Sequence, residues 1–253
     1  VEILTQSNRG LSGARNRALE HIRGRYILFV DSDDTLRKGA VQALLSKAME
    51  TNADIVQGGF VNITGHGLVF GRTGYREGSV DETGQTPYGM AWGKVIRSSI
   101  FAHLKFPEGY WFEDTIFAFC IGPFRPAHYL IPAYVYNYYR NPLGITMRSR
   151  KKAKAVDTVW IMRYLMAELA QKKEVHSAQV QQLLLQHIAL AWYRLSRLDE
   201  AVQQAAFLVM QQMYAAYYAP QDICVQDSRL LALHQALAAK NYGQYLAAAE
   251  NLT

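Results

Sequence analysis

The run Arg25-Tyr26-Ile27-Leu28-Phe29-Val30-Asp31-Ser32-Asp33-Asp34 passes from five consecutive apolar or aromatic residues to three carboxylates within four positions. An apolar run of that length, rich in β-branched and aromatic types and without helical spacing, predicts a strand buried on both faces. In open parallel sheets, ligands bind beyond the carboxyl ends of such strands. The acidic cluster therefore stands where an active site is expected. Carboxylates this close repel one another unless a cation intervenes, and oxygen ligands suit a hard divalent ion such as Mg²⁺ or Mn²⁺. A solvated Asp-rich turn is the plain alternative.

Upstream, Val1-Glu2-Ile3-Leu4 reads as a short strand, and Gln6 to Asn16 as a turn rich in Gly, Ser and Asn that leads into a helix. That helix is predicted over 13–23, with Ser12 as N-cap and an inward stripe of Ala14, Ala18, Leu19 and Ile22. Strand, helix and strand at this spacing predict a βαβ crossover and a parallel sheet. Downstream, a second amphipathic helix is expected over 38–51 with Val41, Leu44, Leu45 and Ala48 inward, then a strand over 54–60. Residues 61–87 read as hairpins or loop. A strand-like Trp92-Gly93-Lys94-Val95-Ile96 and a short helix near 98–103 follow, then further strands at 129–131 and 135–140.

Beyond residue 150 the period changes to that of helices. Val180, Leu183, Leu184, His187, Ile188, Ala191, Trp192 and Leu195 form one stripe, and Val202, Ala205, Ala206, Val209, Met210 and Met213 another. Four or five helices are expected, as a packed bundle or as a dimerisation arm. His187 and His234 fall on apolar faces and read as core or interface residues.

Half of the 253 residues are hydrophobic and 19% are charged, so a sizeable core is expected. Cys120 and Cys224 form neither a disulfide framework nor a metal spacing, which favours a reducing compartment. The net charge of +6 suggests anionic partners. Nucleic acid is the weakest of these, because basic residues are scattered except at Arg148, Arg150, Lys151, Lys152 and Lys154. That run is either a solvated helix start or a patch for a membrane surface.

The segments Asn8 to Asn16 and Gly24 to Asp34 together resemble family 2 glycosyltransferases of the GT-A fold. Ala53-Asp54-Ile55-Val56, Trp92-Gly93-Lys94, Phe112-Glu113-Asp114 and Tyr138-Tyr139-Arg140 with Gly144-Ile145-Thr146 are similar to successive signatures of its bacterial polysaccharide-building members. The resemblance covers residues 1–147. It implies an α/β, GT-A-like, mostly parallel sheet flanked by helices, followed by an all-helical C-terminal region over 148–253. It also implies a fragment, because two initial strands of such enzymes have no counterpart here. Roughly 60–90 residues would then precede Val1, and the side of the pocket that takes the base would be incomplete.

The implied activity is inverting, metal-dependent transfer from a nucleotide sugar, with a UDP-sugar as the expected donor. The acceptor would be a glycan or glycolipid of the bacterial surface. Mg²⁺ or Mn²⁺ would sit on Asp33 and Asp31, supported by Asp34. Arg15, Asp31, Ser32 and Lys94 would contact the donor, and Trp92, Tyr110 and Trp111 offer faces to a sugar or serve as core. Asp114 would be the general base, with Glu113 beside it; in isolation that pair also reads as an N-cap. A cytoplasmic enzyme is implied, with peripheral membrane association and a homodimer through the C-terminal helices as further expectations. Two rivals remain. Phe29 to Leu36 also fits the start of a haloacid-dehalogenase-type phosphatase, and a transferase-like domain could serve only as an interaction module.

Overall fold

The computed structural model describes residues 1–87, 89–121, 126–142, 144, 149, 152–173, 175–219, 225 and 227–252. They form two compact units, Val1–Gly109 with Phe124–Gly144, and Tyr110–Pro123 with Ile145–Thr253. Ile145, Thr146, Arg148, Arg150, Lys151 and Cys224, named above, lie outside the described residues.

The first unit is built on a seven-stranded sheet. Its strands are β1 (Tyr26–Leu28), β2 (Thr35–Leu36), β3 (Ile55–Ile63), β4 (Val69–Thr73), β5 (Gly78–Ser79), β6 (Lys94–Arg97) and β7 (His128–Tyr139). The order is β1-β6-β3-β7-β2, with β4 on β3 and β5 on β7. The sheet is mixed. Of the pairings between these strands only β3 with β7 is parallel, which corrects the expected mostly parallel sheet. The physical reason is that β1 returns against β6, not against a strand at the chain start. Val1–Leu4 lies outside the sheet, with Val1 and Ile3 exposed.

Helix α1 (Gly10–Leu19) precedes β1, and α2 (Ala40–Thr51) lies on the sheet. The apolar stripe of α2 does what its spacing asks: Ala40, Leu44 and Ala48 are buried against Val56, Phe60, Val95, Ile131 and Val135. Full burial of Leu44 alone contributes about 2 kcal/mol. Val41 faces solvent instead. Within 61–87, β4 folds back on β3, and the one-turn helix α3 (Val80–Thr83) opens on a reciprocal Ser79–Glu82 capping box.

Strand β7 is one continuous element where two were expected. Pro132 has no N–H to give the ladder, and register shifts around Gly58 and Gly59 absorb it. Here glycine is required on packing grounds. A Cβ on Gly58 would stand 2.6 Å from Val135 Cγ1, and one on Gly59 would stand 2.5 Å from the Thr73 carbonyl oxygen.

The second unit contains the helices α4 (Asp157–Gln171), α5 (Ala178–Leu195), α6 (Glu200–Tyr217), α7 (Ser228–Ala238) and α8 (Tyr242–Glu250). Most of the predicted stripe of α5 is buried. In α6 the buried face is turned from the prediction: Phe207, Gln211 and Tyr214 join Ala206, Met210 and Met213, while Ala205 is exposed. His234 is buried and His187 half-buried. His234 shares a 2.7 Å hydrogen bond with the Tyr214 hydroxyl, which accepts one from Gln181 at 2.9 Å. His187 contacts the Leu183 carbonyl through Nδ1 at 2.9 Å and packs edge-on against Phe119. Lys152 and Lys154 of the basic run are exposed, and Lys154 pairs with Asp157 at 2.8 Å.

Two outcomes follow. Because the Thr73 carbonyl cannot swing away, Gly59→Ala should cost about 1–3 kcal/mol, seen as a lower denaturant midpoint. Burial, opposed by the Leu183 carbonyl and reinforced by Arg194, depresses the pKa of His187 from its usual 6.5 to about 4. Between those values the unfolded chain holds a proton that the folded one rejects, so stability falls as pH drops from 6.5 to 4. His187→Gln keeps a donor for Leu183 and should flatten the melting temperature across that window; an unchanged slope would place the acid sensitivity elsewhere.

Candidate active site

The acidic turn after β1 is held chiefly from one direction, by the last third of β7. Phe29 makes a parallel bridge to Trp92, and the chain then leaves the sheet. The backbone N–H of Asp31 donates to the buried Tyr136 hydroxyl at 3.0 Å. The N–H of Tyr139 donates to Asp34 Oδ1 at 2.8 Å. The Asn141 amide donates to Asp33 Oδ2 at 3.1 Å. Asp34 is buried, Asp31 half-buried, and Ser32 and Asp33 face solvent. Burial pushes the Asp34 carboxyl up to about 6; the Tyr139 N–H and the Tyr136 hydroxyl work against it, and the charges of Asp33 and Asp31 add to it. Burial also raises the Tyr136 phenol well above its usual value, so it stays protonated.

Helix α1 supplies the second wall, through a polar face. The stripe expected inward is exposed at Ala14 and Ala18; Ser12, Gly13, Arg15 and Asn16 are buried instead. Arg9 occupies the N-cap without a side-chain capping bond, so Ser12 is not the cap. Arg15 lies in the second turn of this helix. It pairs with Asp31 Oδ1 at 2.9 Å and stands 5.3 Å and 5.8 Å from the ring centres of Phe106 and Phe29. Asn16 clasps the backbone of Phe106 in both directions, its Nδ2 donating to the carbonyl and its Oδ1 accepting from the N–H, each at 2.8 Å. The same Nδ2 donates to Glu108 at 3.0 Å, and Arg9 reaches Glu108 through two 2.9 Å hydrogen bonds. The Asn16 bond, then Arg9, holds the Glu108 carboxyl below its usual range.

Lys94 lies inside the first unit, 2% exposed, in β6 opposite Gln57. Its charge adds to the burial that lowers His128 to about 3. Trp92 is core, stacked on Tyr136 at 4.4 Å with Phe60 edge-on. Glu113 and Asp114 belong to the second unit, together with Tyr110 and Trp111. They follow Phe112, whose φ of +66° is unusual for a bulky residue. The Arg194 guanidinium lies 3.8 Å from the centre of the Phe112 ring and donates to Thr158 at 2.8 Å. Burial lowers Arg194 to about 10, and the Asp114 carboxylate opposes that shift. The Trp111 N–H is taken by Asp157 at 2.8 Å. Glu113 is buried and Asp114 half-buried. Sequence reading assigned no role to Tyr136, Asn141 or Arg194. Only Tyr138-Tyr139-Arg140 stood near a signal for the first two, and nothing in its own spacing marks Arg194.

Among the described residues no three Asp, Glu, His or Cys side chains form a metal cage. Asp31 already meets Arg15, and Asp34 is buried. The donor set fits an ion of the Mg²⁺ kind, which is commonly held by one or two carboxylates together with substrate phosphate.

Residues 1–105 match the model of Glycosyl transferase family 2. Glycosyltransferase GlyA of Streptococcus pneumoniae is 25% identical over 235 residues, 83% of this chain and 32% of GlyA. The UDP-Glc:alpha-D-GlcNAc-diphosphoundecaprenol beta-1,3-glucosyltransferase WfgD of Escherichia coli is 31% identical over 70 residues, 27% of this chain and 28% of WfgD. The chain thus spans less than a third of either relative. TarS 1–349 of S. aureus, in complex with UDP-GlcNAc, has the same fold, with a TM-score of 0.75 at 18% identity over 98% of this chain and 73% of TarS 1–349. A GT-A-like glycosyltransferase fold is therefore the class, and the first 105 residues are similar to glycosyl transferase family 2. The phosphatase reading is not favoured, because its one motif lies within the segment that this family explains.

Asn16→Ala would strand the Phe106 N–H and carbonyl in a buried place, at about 1–3 kcal/mol for each group left unpaired. The variant should melt several degrees lower, and Asn16→Asp, which keeps the acceptor, should fall between.

Proposed function

We propose that the chain carries the diphosphate and acceptor side of an inverting, metal-dependent glycosyltransferase. It would move a sugar from a UDP-sugar to a glycan or glycolipid acceptor in bacterial surface polysaccharide synthesis, at the cytoplasmic face of the membrane. The observation that carries this reading is the acidic turn of Asp31, Asp33 and Asp34, held from β7 and α1, inside the segment that matches the family. The UDP-GlcNAc in the TarS complex and the UDP-Glc donor in the name of WfgD support the choice of donor.

In this reading Asp33, exposed, and Asp31 beside it hold Mg²⁺ or Mn²⁺. The ion, when bound, offsets the charge of the departing diphosphate. Arg15 fixes Asp31 rather than meeting the donor directly, since it is buried in that ion pair. Ser32 presents its hydroxyl and backbone at the exposed turn. Lys94 lends positive charge from beneath the sheet surface.

Asp114 is the general base. As the acceptor oxygen bonds to the anomeric carbon, the bond from that carbon to the phosphate oxygen breaks, and the acceptor proton passes to Asp114. A positioned carboxylate contributes about 10²–10⁴-fold in such a step. Arg194 and the Phe112 turn hold the base, and Glu113, buried beside it, orients the loop.

The test uses the full-length enzyme and a panel of nucleotide sugars with Mn²⁺. Asp33→Ala should abolish metal-dependent binding of the nucleoside diphosphate with the fold intact. Asp114→Asn should lower kcat about 10²-fold or more with donor affinity little changed. Wild-type turnover in Asp33→Ala overturns the metal assignment. Collapse of donor binding in Asp114→Asn makes that residue a binding group and places the base elsewhere.

A further inference from the structure

The turn between β3 and β4 carries a surface that the transfer reaction does not use. Its tip is tightly built: the Thr64 N–H donates to the Leu68 carbonyl at 2.8 Å, and the Leu68 N–H returns to Thr64 Oγ1 at 3.1 Å. Gly67 takes φ +80°, where a side chain would be strained. This rigid turn holds three consecutive apolar residues in water. Leu68, Val69 and Phe70 are 69%, 50% and 52% exposed. Such a patch on a small tip marks an interaction site more often than chance.

Arginines flank it. The Arg140 guanidinium lies 5.9 Å from the centre of the Phe70 ring, and that of Arg72 lies 6.0 Å from the Tyr134 ring, itself exposed. Residues 64–76 and 128–141 contain no carboxylate. An apolar tip with a cationic collar, and no carboxylate in either of these two segments, matches a bilayer surface with anionic headgroups. Leu68 and Val69 offer no hydrogen bond to a sugar, which argues against a glycan. Three side chains fall well short of the roughly 800 Å² that a stable protein partner would need on each side.

The tip also stands close in the ladder to the acidic turn. Ile63 pairs with Val69 on one side and with Tyr139 on the other, the Arg140 N–H donates to Ile63, and Asn141 holds Asp33. We propose that the β3–β4 turn docks the protein on an anionic membrane. Leu68, Val69 and Phe70 enter the boundary between headgroups and acyl chains, and Arg72 and Arg140 lie on the lipid phosphates. The docking goes beyond the transfer reaction and does not depend on it.

The experiment is sedimentation of the full-length protein with vesicles of phosphatidylglycerol and phosphatidylethanolamine, against phosphatidylcholine alone. Wild type should pellet with the anionic vesicles only. Arg72→Gln/Arg140→Gln should weaken partitioning about 25-fold, near fivefold for each arginine. Leu68→Ser/Phe70→Ser should weaken it at least tenfold and leave the melting temperature unchanged, because the positions are exposed. Lys152→Gln/Lys154→Gln, in the other unit, should bind as wild type does. Retention indifferent to both hairpin variants overturns the proposal, as does retention lost only in the lysine variant. If the serine variant changes self-association while no form binds vesicles, the tip is an interface between copies, and the proposal is wrong.

Discussion

A buried tyrosine hydroxyl beneath three carboxylates is the constraint on which the first unit depends. Tyr136 is wholly inside, stacked on Trp92, and its oxygen accepts the backbone N–H of Asp31. That bond fixes where the chain turns after β1. Close carboxylates tolerate one another only when each has its own compensation. Asp31 has Arg15, Asp33 has Asn141, and Asp34 has the Tyr139 N–H. Asp34 also relieves repulsion by its burial, which moves its titration toward neutrality. The most exposed carboxylate, Asp33, is left facing solvent at the turn, where a ligand can reach it.

Helix α1 shows what such a site asks of its scaffold. An ordinary surface helix buries an apolar stripe. This one buries Ser12, Arg15 and Asn16 and exposes its alanines. Two of its buried groups are matched within the unit, the Arg15 guanidinium to a carboxylate and the Asn16 amide to both polar groups of one backbone residue, while the buried Ser12 hydroxyl has no hydrogen-bond partner among the described residues. A fully polar buried face is costly unless it is satisfied. The helix therefore serves to place two loops, at Asp31 and at Phe106, 75 residues apart in sequence, more than to fill a core. In the second unit the Phe112 turn is treated likewise, with a guanidinium over the ring and Asp157 on the N–H of the residue before it, Trp111.

Much of this was legible, and the failures share a cause. The apolar run ending in Asp31, Asp33 and Asp34, the order of signatures up to Tyr138-Tyr139-Arg140, and the helical region after 150 depend on local period or local motif. Both survive folding. Ala14 and Ala18 were misread because apolar spacing cannot tell a core face from a solvent face when polar residues hold the buried positions. The mixed sheet was missed because strand direction is set by distant pairing, β1 on β6 and β3 on β7, which no window of sequence contains. Tyr136, Asn141 and Arg194 carry no mark of their own; each gains its role from a partner 80 to 108 residues away or across a helix pair.

The irregular middle of β7 connects these observations. Between the pairs Ile55–His128 and Phe60–Tyr136, five steps along β3 correspond to eight along β7. Three residues are therefore absorbed in the bulges around Pro132, where Gly58 and Gly59 leave room. Because side chains alternate with a period of two, an odd insertion also exchanges the faces of every residue beyond it. Without it, Tyr136 would stand about 10 Å further along the sheet, at roughly 3.3 Å per residue, and on the opposite face. Its hydroxyl would miss Asp31, the Tyr139 N–H would miss Asp34, and Asn141 would miss Asp33. The acidic turn thus depends on two glycines that touch none of its residues.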